Sequence, residues 1–171
     1  MTGAISHDAF STTSLGGIGT MTKVSAQSHT GRELELMLEG KKPLAMFYAE
    51  VGELPDEELI PEDRFAPFIS SGQFVRGESI EEGQYHAKLG RNVRVKYIFF
   101  AQVAEAWRIE AMKLLRRESN RSGWSETCER MEGSLLGYTD EENDAHIERA
   151  LQNPQATAFP WVQRALLARG R

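Results

Sequence analysis

The stretch RNVRVKYIFFAQVAEAWRIEAMKLLRR, residues 91–117, decides the fold because its hydrophobic period changes partway along. From 93 to 100, the apolar residues Val93, Val95, Tyr97 and Phe99 alternate with a second series that begins with Arg94 and Lys96. This period of two is typical of a β-strand. The later part, from Tyr97 to Phe100, is apolar on both sides, so we expect a central strand covered on both faces. From Ala101 the period becomes 3.6, which predicts a long amphipathic helix ending near Asn120. Its predicted inward stripe consists of Val103, Ala104, Trp107, Ala111, Leu114 and Leu115, with Met112 alongside.

Shorter patterns on either side add further elements. The apolar run 44–49 predicts a buried strand, and the segment 73–82, weakened by Gly77, predicts an edge strand. A first short helix is expected after a cap at Thr30, with Leu34, Met37 and Leu38 on one face, and a second begins at Pro61.

The C-terminal half is predicted to be mainly helical. A helix over 124–136 should end at Gly137 and turn Cys128, Met131 and Leu135 inward. The next helix starts at Thr139 through a capping box closed by Glu142, and a last one covers 159–168. Strands followed by helices indicate an α+β fold. We expect a small, mainly antiparallel sheet of two to four strands in the N-terminal half, packed against a C-terminal helical half of about four helices.

Length and composition point to one folded domain preceded by a polar arm. The chain has 171 residues, of which 40% are hydrophobic and 26% charged. Residues 1–31, rich in Ser, Thr and Gly, are predicted to be a flexible arm, and residues 32–171 a single domain. The lone Cys128 excludes a disulfide scaffold, and no apolar run is long enough to span a membrane. These features predict a cytoplasmic protein.

Charge is unevenly distributed along this chain of net charge −5. The segment 50–63 carries many carboxylates and neither Lys nor Arg. Close carboxylates repel one another unless a cationic partner neutralises them. We therefore predict a docking surface for another protein with a basic surface, which includes imitation of a nucleic acid. The candidate residues are Glu53, Asp56, Glu57, Glu58, Glu62 and Asp63.

A basic block covers residues 88–121 and gives the first alternative. Basic side chains interleaved with Tyr97 and Trp107 are a pattern that holds nucleic-acid strands. The acidic balance of the whole chain argues against this reading, because phosphate binding normally goes with a basic domain. The candidate phosphate ligands are Arg91, Arg94, Lys96, Arg116, Arg117 and Arg121.

Catalytic patterns are missing from the sequence. It contains no nucleophile elbow, phosphate-binding loop or dinucleotide fingerprint, and its four histidines lack the spacing of a metal site. We therefore expect no metal and no cofactor. The second alternative is a small enzyme with an unfamiliar site near His146, Glu142 and Tyr138.

The preferred hypothesis is a non-enzymatic binding or regulatory protein that acts through protein–protein contacts. Inhibitors and accessory proteins of mobile elements share this compositional profile. The helical half also offers spare apolar stripes, so self-association into a homo-oligomer is compatible with the sequence.

Overall fold

The computed structural model describes residue 29 and residues 31–51, 60–86, 91–123 and 125–152. The strands are β1 (Leu44–Glu50), β2 (Phe74–His86) and β3 (Arg91–Gln102). The α-helices are α1 (Glu33–Leu38), α2 (Glu62–Ser70), α3 (Trp107–Ser122), α4 (Glu126–Leu136) and α5 (Asp140–Gln152), and the 3-10 turn Val103–Glu105 precedes α3. The predicted arm falls almost wholly outside the described residues, as do the proposed Thr30 cap and the proposed helix 159–168.

The three strands form one antiparallel sheet in the order β1-β3-β2. The α+β prediction is therefore confirmed, and so are the central position of β3 and the edge position of β2. The register places Phe74 opposite Gln102 and His86 opposite Arg91, so β2 runs the length of β3. The shorter β1 pairs only with residues 95–101 of β3, from Leu44 opposite Ala101 to Glu50 opposite Val95. Strand β2 continues to His86, beyond its predicted end at residue 82, with a register shift between Glu81 and Gln84.

Helices cover both faces of the sheet, because β3 is apolar on both sides. Face A, which bears Tyr97 and Phe99, packs against α3 and α4. Face B, which bears Ile98 and Phe100, packs against α1 and α2, where the Phe65 ring stacks on that of Phe100 at 4.1 Å between centroids. The predicted packing of the sheet against the C-terminal helices is therefore found on face A. Face B is covered by the two short N-terminal helices, α1 and α2.

Local capping signals explain where the later helices begin and end. The Thr139 backbone N–H donates to the Glu142 carboxylate (2.8 Å) and the Glu142 N–H donates to the Thr139 hydroxyl (3.2 Å), which confirms the predicted capping box. Gly137 ends α4 in the left-handed conformation, with φ 90°. The Ser125 hydroxyl caps the start of the same helix by accepting from the Cys128 N–H (3.2 Å).

The predicted inward stripe of α3 is wrong for Val103, Trp107 and Leu114, which are 52%, 58% and 64% exposed. Leu115 and Met112 are buried as predicted, and Ile109 and Arg116 complete the buried stripe. The apolar residues of this helix are spread over more than half of its circumference, so its sequence supports two stripes. The sheet selects the one containing Ile109, whose side chain packs over Gly77 where a larger residue would collide.

Two smaller orientations also differ from expectation. Leu38 of α1 and Met131 of α4 are exposed, and Leu36 and Leu136 occupy the core positions. Cys128 is half-buried and carries a free thiol. Within the part of the chain that the structure describes, every helix is too short or too polar to cross a membrane.

Candidate functional site

The acidic candidates fall into two groups. Glu53, Asp56, Glu57 and Glu58 lie outside the described residues. Glu62 and Asp63 lie in the first turn of α2, where the helix dipole stabilises negatively charged side chains. The Glu62 carboxylate accepts two hydrogen bonds from Arg76, at 2.7 and 2.9 Å. These hydrogen bonds to Glu62 raise the pKa of the Arg76 guanidinium, although burial by itself would lower it. Glu62 is thus engaged in an ion pair within the molecule, and the Asp63 side chain is exposed to solvent.

The basic candidates are spread over several surfaces. Arg94 and Lys96 lie on face B of the sheet, and Arg117 and Arg121 lie on α3, which packs against face A. Many already contact carboxylates: Arg91 pairs with Glu50 (2.6 Å), Arg94 with Glu82 (2.9 Å) and Arg121 with Glu118 (2.7 Å). The structure therefore does not bring these residues together into one strip that a nucleic-acid strand would follow.

Arg116 is the exception among them, because it is buried. Its Nη1 lies 3.3 Å from both oxygens of Glu132, and its Nη2 donates to the Tyr97 hydroxyl at 2.7 Å. Its Nε lies 3.8 Å from the Glu81 carboxylate, which also accepts from Asn120. Burial alone would lower the pKa of the Arg116 guanidinium, but Tyr97, Glu132 and Glu81 outweigh it and the pKa is raised. This buried Arg116 cluster ties α3 and α4 to strands β2 and β3.

The tyrosines beside this cluster give a prediction for alkaline pH. Burial raises the pKa of Tyr48 to about 12, against the opposing charge of Arg116. An unfolded tyrosine titrates near pH 10, so the unfolded state loses its proton first as pH rises. The free energy of unfolding should therefore fall between about pH 10 and pH 12. We expect the Tyr48→Phe variant to show a shallower fall in urea-unfolding measurements over this range. An unchanged slope would contradict the assignment.

Of the three residues of the enzyme hypothesis, Tyr138 and Glu142 both contact His29, whereas His146 contacts Glu129. His146 Nε2 lies 3.3 Å from the Glu129 carboxylate on α4. Glu142 closes the capping box, and Tyr138 stacks on His29 with 4.2 Å between ring centroids. In the described ranges, no three or more His, Cys, Asp or Glu side chains group in a way that could hold a metal ion.

A second buried polar group was not predicted from the sequence. Lys42 is fully buried, with its Nζ 3.3 Å from His29 Nδ1 and 5.0 Å from the centre of the Tyr138 ring. The His29 Nε2 in turn lies 4.0 Å from Glu142. Buried cations normally have partners, and these contacts join the segment before α1 to the start of α5. No spacing rule links residues so far apart in sequence.

The outer side of α3 is the most exposed apolar feature described. Trp107, Leu114 and Arg121 are spaced by seven residues, so they lie in line along the side opposite the buried stripe. Val103 precedes them, and Arg117 stands beside Leu114, one turn further along the helix. We call these five residues the α3 surface.

Trp107 is held in place by its neighbour. The Arg108 guanidinium lies 4.9 Å from the centre of the indole ring, within cation–π range. Arg108 is itself fixed by Glu105 (2.6 Å) and by the backbone oxygens of Ser134 and Leu135 (3.0 and 3.3 Å) at the end of α4. The exposed indole therefore rests on an anchored side chain, which lowers the entropy lost when a partner binds.

Comparisons with known proteins give no relative on which to base a function. No protein-family model matches the chain, and no significant match was found among curated proteins or solved structures.

Proposed function

We propose that this chain is a non-enzymatic binding protein that acts through protein–protein contacts made by the α3 surface. The observation that carries the proposal is the pair Trp107 and Leu114, both more than half exposed on a helix whose other side is locked into the core. Clusters of exposed apolar side chains mark interaction sites, and Trp and Arg dominate binding energy at such sites.

Charged residues surround the apolar centre of this surface, as they do in protein interfaces. Arg117 and Arg121 lie at the C-terminal end of the apolar line, and Glu110 and Lys113 form an ion pair beside it at 2.8 Å. An apolar centre with a polar rim is typical of protein interfaces. Roles as an inhibitor, regulator or mobile-element accessory protein are narrower proposals within this one.

The acidic segment remains a second proposed contact for a basic protein. Only Glu62 and Asp63 belong to the described residues, and Asp63 is the more accessible of the two. Binding through this segment should weaken as salt rises, because exposed charges are screened. Binding through Trp107 and Leu114 should persist in high salt.

The nucleic-acid alternative is less well supported by the geometry. Arg91, Arg94, Arg116 and Arg121 each contact a carboxylate, and Arg116 is enclosed in the protein. A phosphate would have to displace these partners. Titration with single- and double-stranded nucleic acid at about 50 mM salt tests this alternative directly.

A double variant, Trp107→Ala with Leu114→Ser, tests the proposed function. We expect it to lose at least tenfold in affinity for any protein captured by the wild-type chain, because it removes the centre of the contact. Its free energy of unfolding should change by no more than about 0.5–1 kcal/mol, since both side chains are exposed. Pull-downs with purified, immobilised chain followed by titration of the captured protein provide the measurement.

Ile80→Ser is the matched control, because Ile80 is an exposed apolar residue on face B. A protein bound by the wild type and the control but not by the double variant supports the proposal. Equal binding by all three chains would overturn it, and so would the absence of any bound protein, a second copy of this chain included.

A further inference from the structure

We infer that the α3 surface pairs with the same surface of a second copy of this chain, with the two α3 helices antiparallel. This inference rests on the proposed function and names the partner. It follows from how the side chains are arranged along the helix.

A two-fold axis through Leu114 makes the α3 surface complementary to itself. Leu114 then meets Leu114 of the second copy, and Trp107 and Arg121, each seven residues from the axis, face one another across it. Both chains thus contribute the same pair, as a symmetric dimer requires. An Arg guanidinium over a Trp face is the strongest form of cation–π contact between side chains.

Charge favours the antiparallel arrangement over the parallel one. In the antiparallel pair, Glu110 and Glu118 of the second copy lie at the same level, because each is four residues from the axis. Each of these carboxylates is neutralised within its own chain, Glu110 by Lys113 (2.8 Å) and Glu118 by Arg121 (2.7 Å). A parallel pair would place Arg121 on Arg121 of the second copy, which is repulsive, and would align the helix dipoles unfavourably.

The extent of the contact sets its expected strength. Helix α3 has 16 residues and is therefore about 24 Å long. A single pair of such helices buries an area at the small end of specific interfaces. We therefore expect a reversible dimer with a dissociation constant on the order of micromolar.

Engineered cysteines test both the contact and its direction. In a Cys128→Ser background, Leu114→Cys places a thiol on the proposed axis, where two copies come within disulfide range. The same background with Trp107→Cys places the two thiols about 21 Å apart in the antiparallel dimer, but adjacent in a parallel one. We expect mild oxidation to cross-link the Leu114→Cys chain and to leave the Trp107→Cys chain monomeric on non-reducing gels.

Sedimentation equilibrium of the full chain supplies the independent measurement. Wild type and Ile80→Ser should dimerise over about 1–200 µM, and Leu114→Arg, which brings two cations together on the axis, should weaken dimerisation at least tenfold. A wild-type chain that stays monomeric, or a dimer that does not cross-link at Leu114, overturns the inference. If the chain is monomeric but Leu114→Arg still abolishes binding to another protein, only the choice of partner is wrong. Failure of both assays removes the proposed function as well.

Discussion

We expect the Arg116→Met variant to lose about 3–5 kcal/mol of unfolding free energy, the largest effect among the substitutions considered. Methionine fills much of the same volume but carries no charge. The substitution leaves Glu132 and Glu81, both buried, without the guanidinium group that faces them, and takes the donor from the Tyr97 hydroxyl. Urea unfolding monitored by tryptophan fluorescence measures the loss.

Arg117→Met is the matched control for this prediction. Arg117 is the next residue, is exposed, and donates through Nε to the backbone oxygen of Lys113 at 3.3 Å. Its replacement should change stability by no more than about 0.5 kcal/mol. Adding Glu132→Leu to Arg116→Met should restore part of the loss, because a buried ion pair is replaced by apolar side chains. A loss below about 1 kcal/mol in Arg116→Met would contradict the structural role assigned to the cluster.

Gly137→Ala should be the second most damaging change, with a loss of about 2–4 kcal/mol. Gly137 has φ 90°, where an L side chain is strained. Its new methyl group would also collide with the ring of Pro43, which leads into β1. Because the proline ring is rigid, the end of α4 must move away from the sheet. Thermal and urea unfolding should both record the loss.

Gly72→Ala separates the two causes. Gly72 has φ 75° but open space where a Cβ would be placed, so only the backbone strain applies and about 1 kcal/mol should be lost. Pro43→Ala added to Gly137→Ala should recover the steric part. If Gly137→Ala and Gly72→Ala lower the free energy of unfolding by the same amount, the contact with Pro43 does not contribute to the loss.

Local patterns predicted most of the secondary structure. The run 44–49 and the alternation over 93–100 identify β1 and β3 to within two residues at each end, because a strand buried on one or both faces must be apolar there. Thr139 with Glu142, and Gly137, mark their helix boundaries because these signals act on backbone groups only a few residues away.

The candidate site was predicted much less well. Helical periodicity predicts that Trp107 and Leu114 lie in the core, but both are on the surface, where they carry the proposed function. The basic block predicts Arg116 on a nucleic-acid surface, but this residue is buried. Residue type alone suggests that Trp107 and Leu114 are buried and that Arg116 is exposed. Contacts with segments distant in sequence produce the opposite arrangement.

The sequence by itself determined the strand-to-helix change near Ala101, the α+β class and the helix caps, since each depends on periodicity or on neighbours within one turn. Only the tertiary structure decided which side of α3 faces the sheet. That choice depends on the space above Gly77 and on Glu81 and Glu132, which reach Arg116 from separate elements. A buried guanidinium group is stable only when its partners are in place, and their convergence is a property of the folded chain.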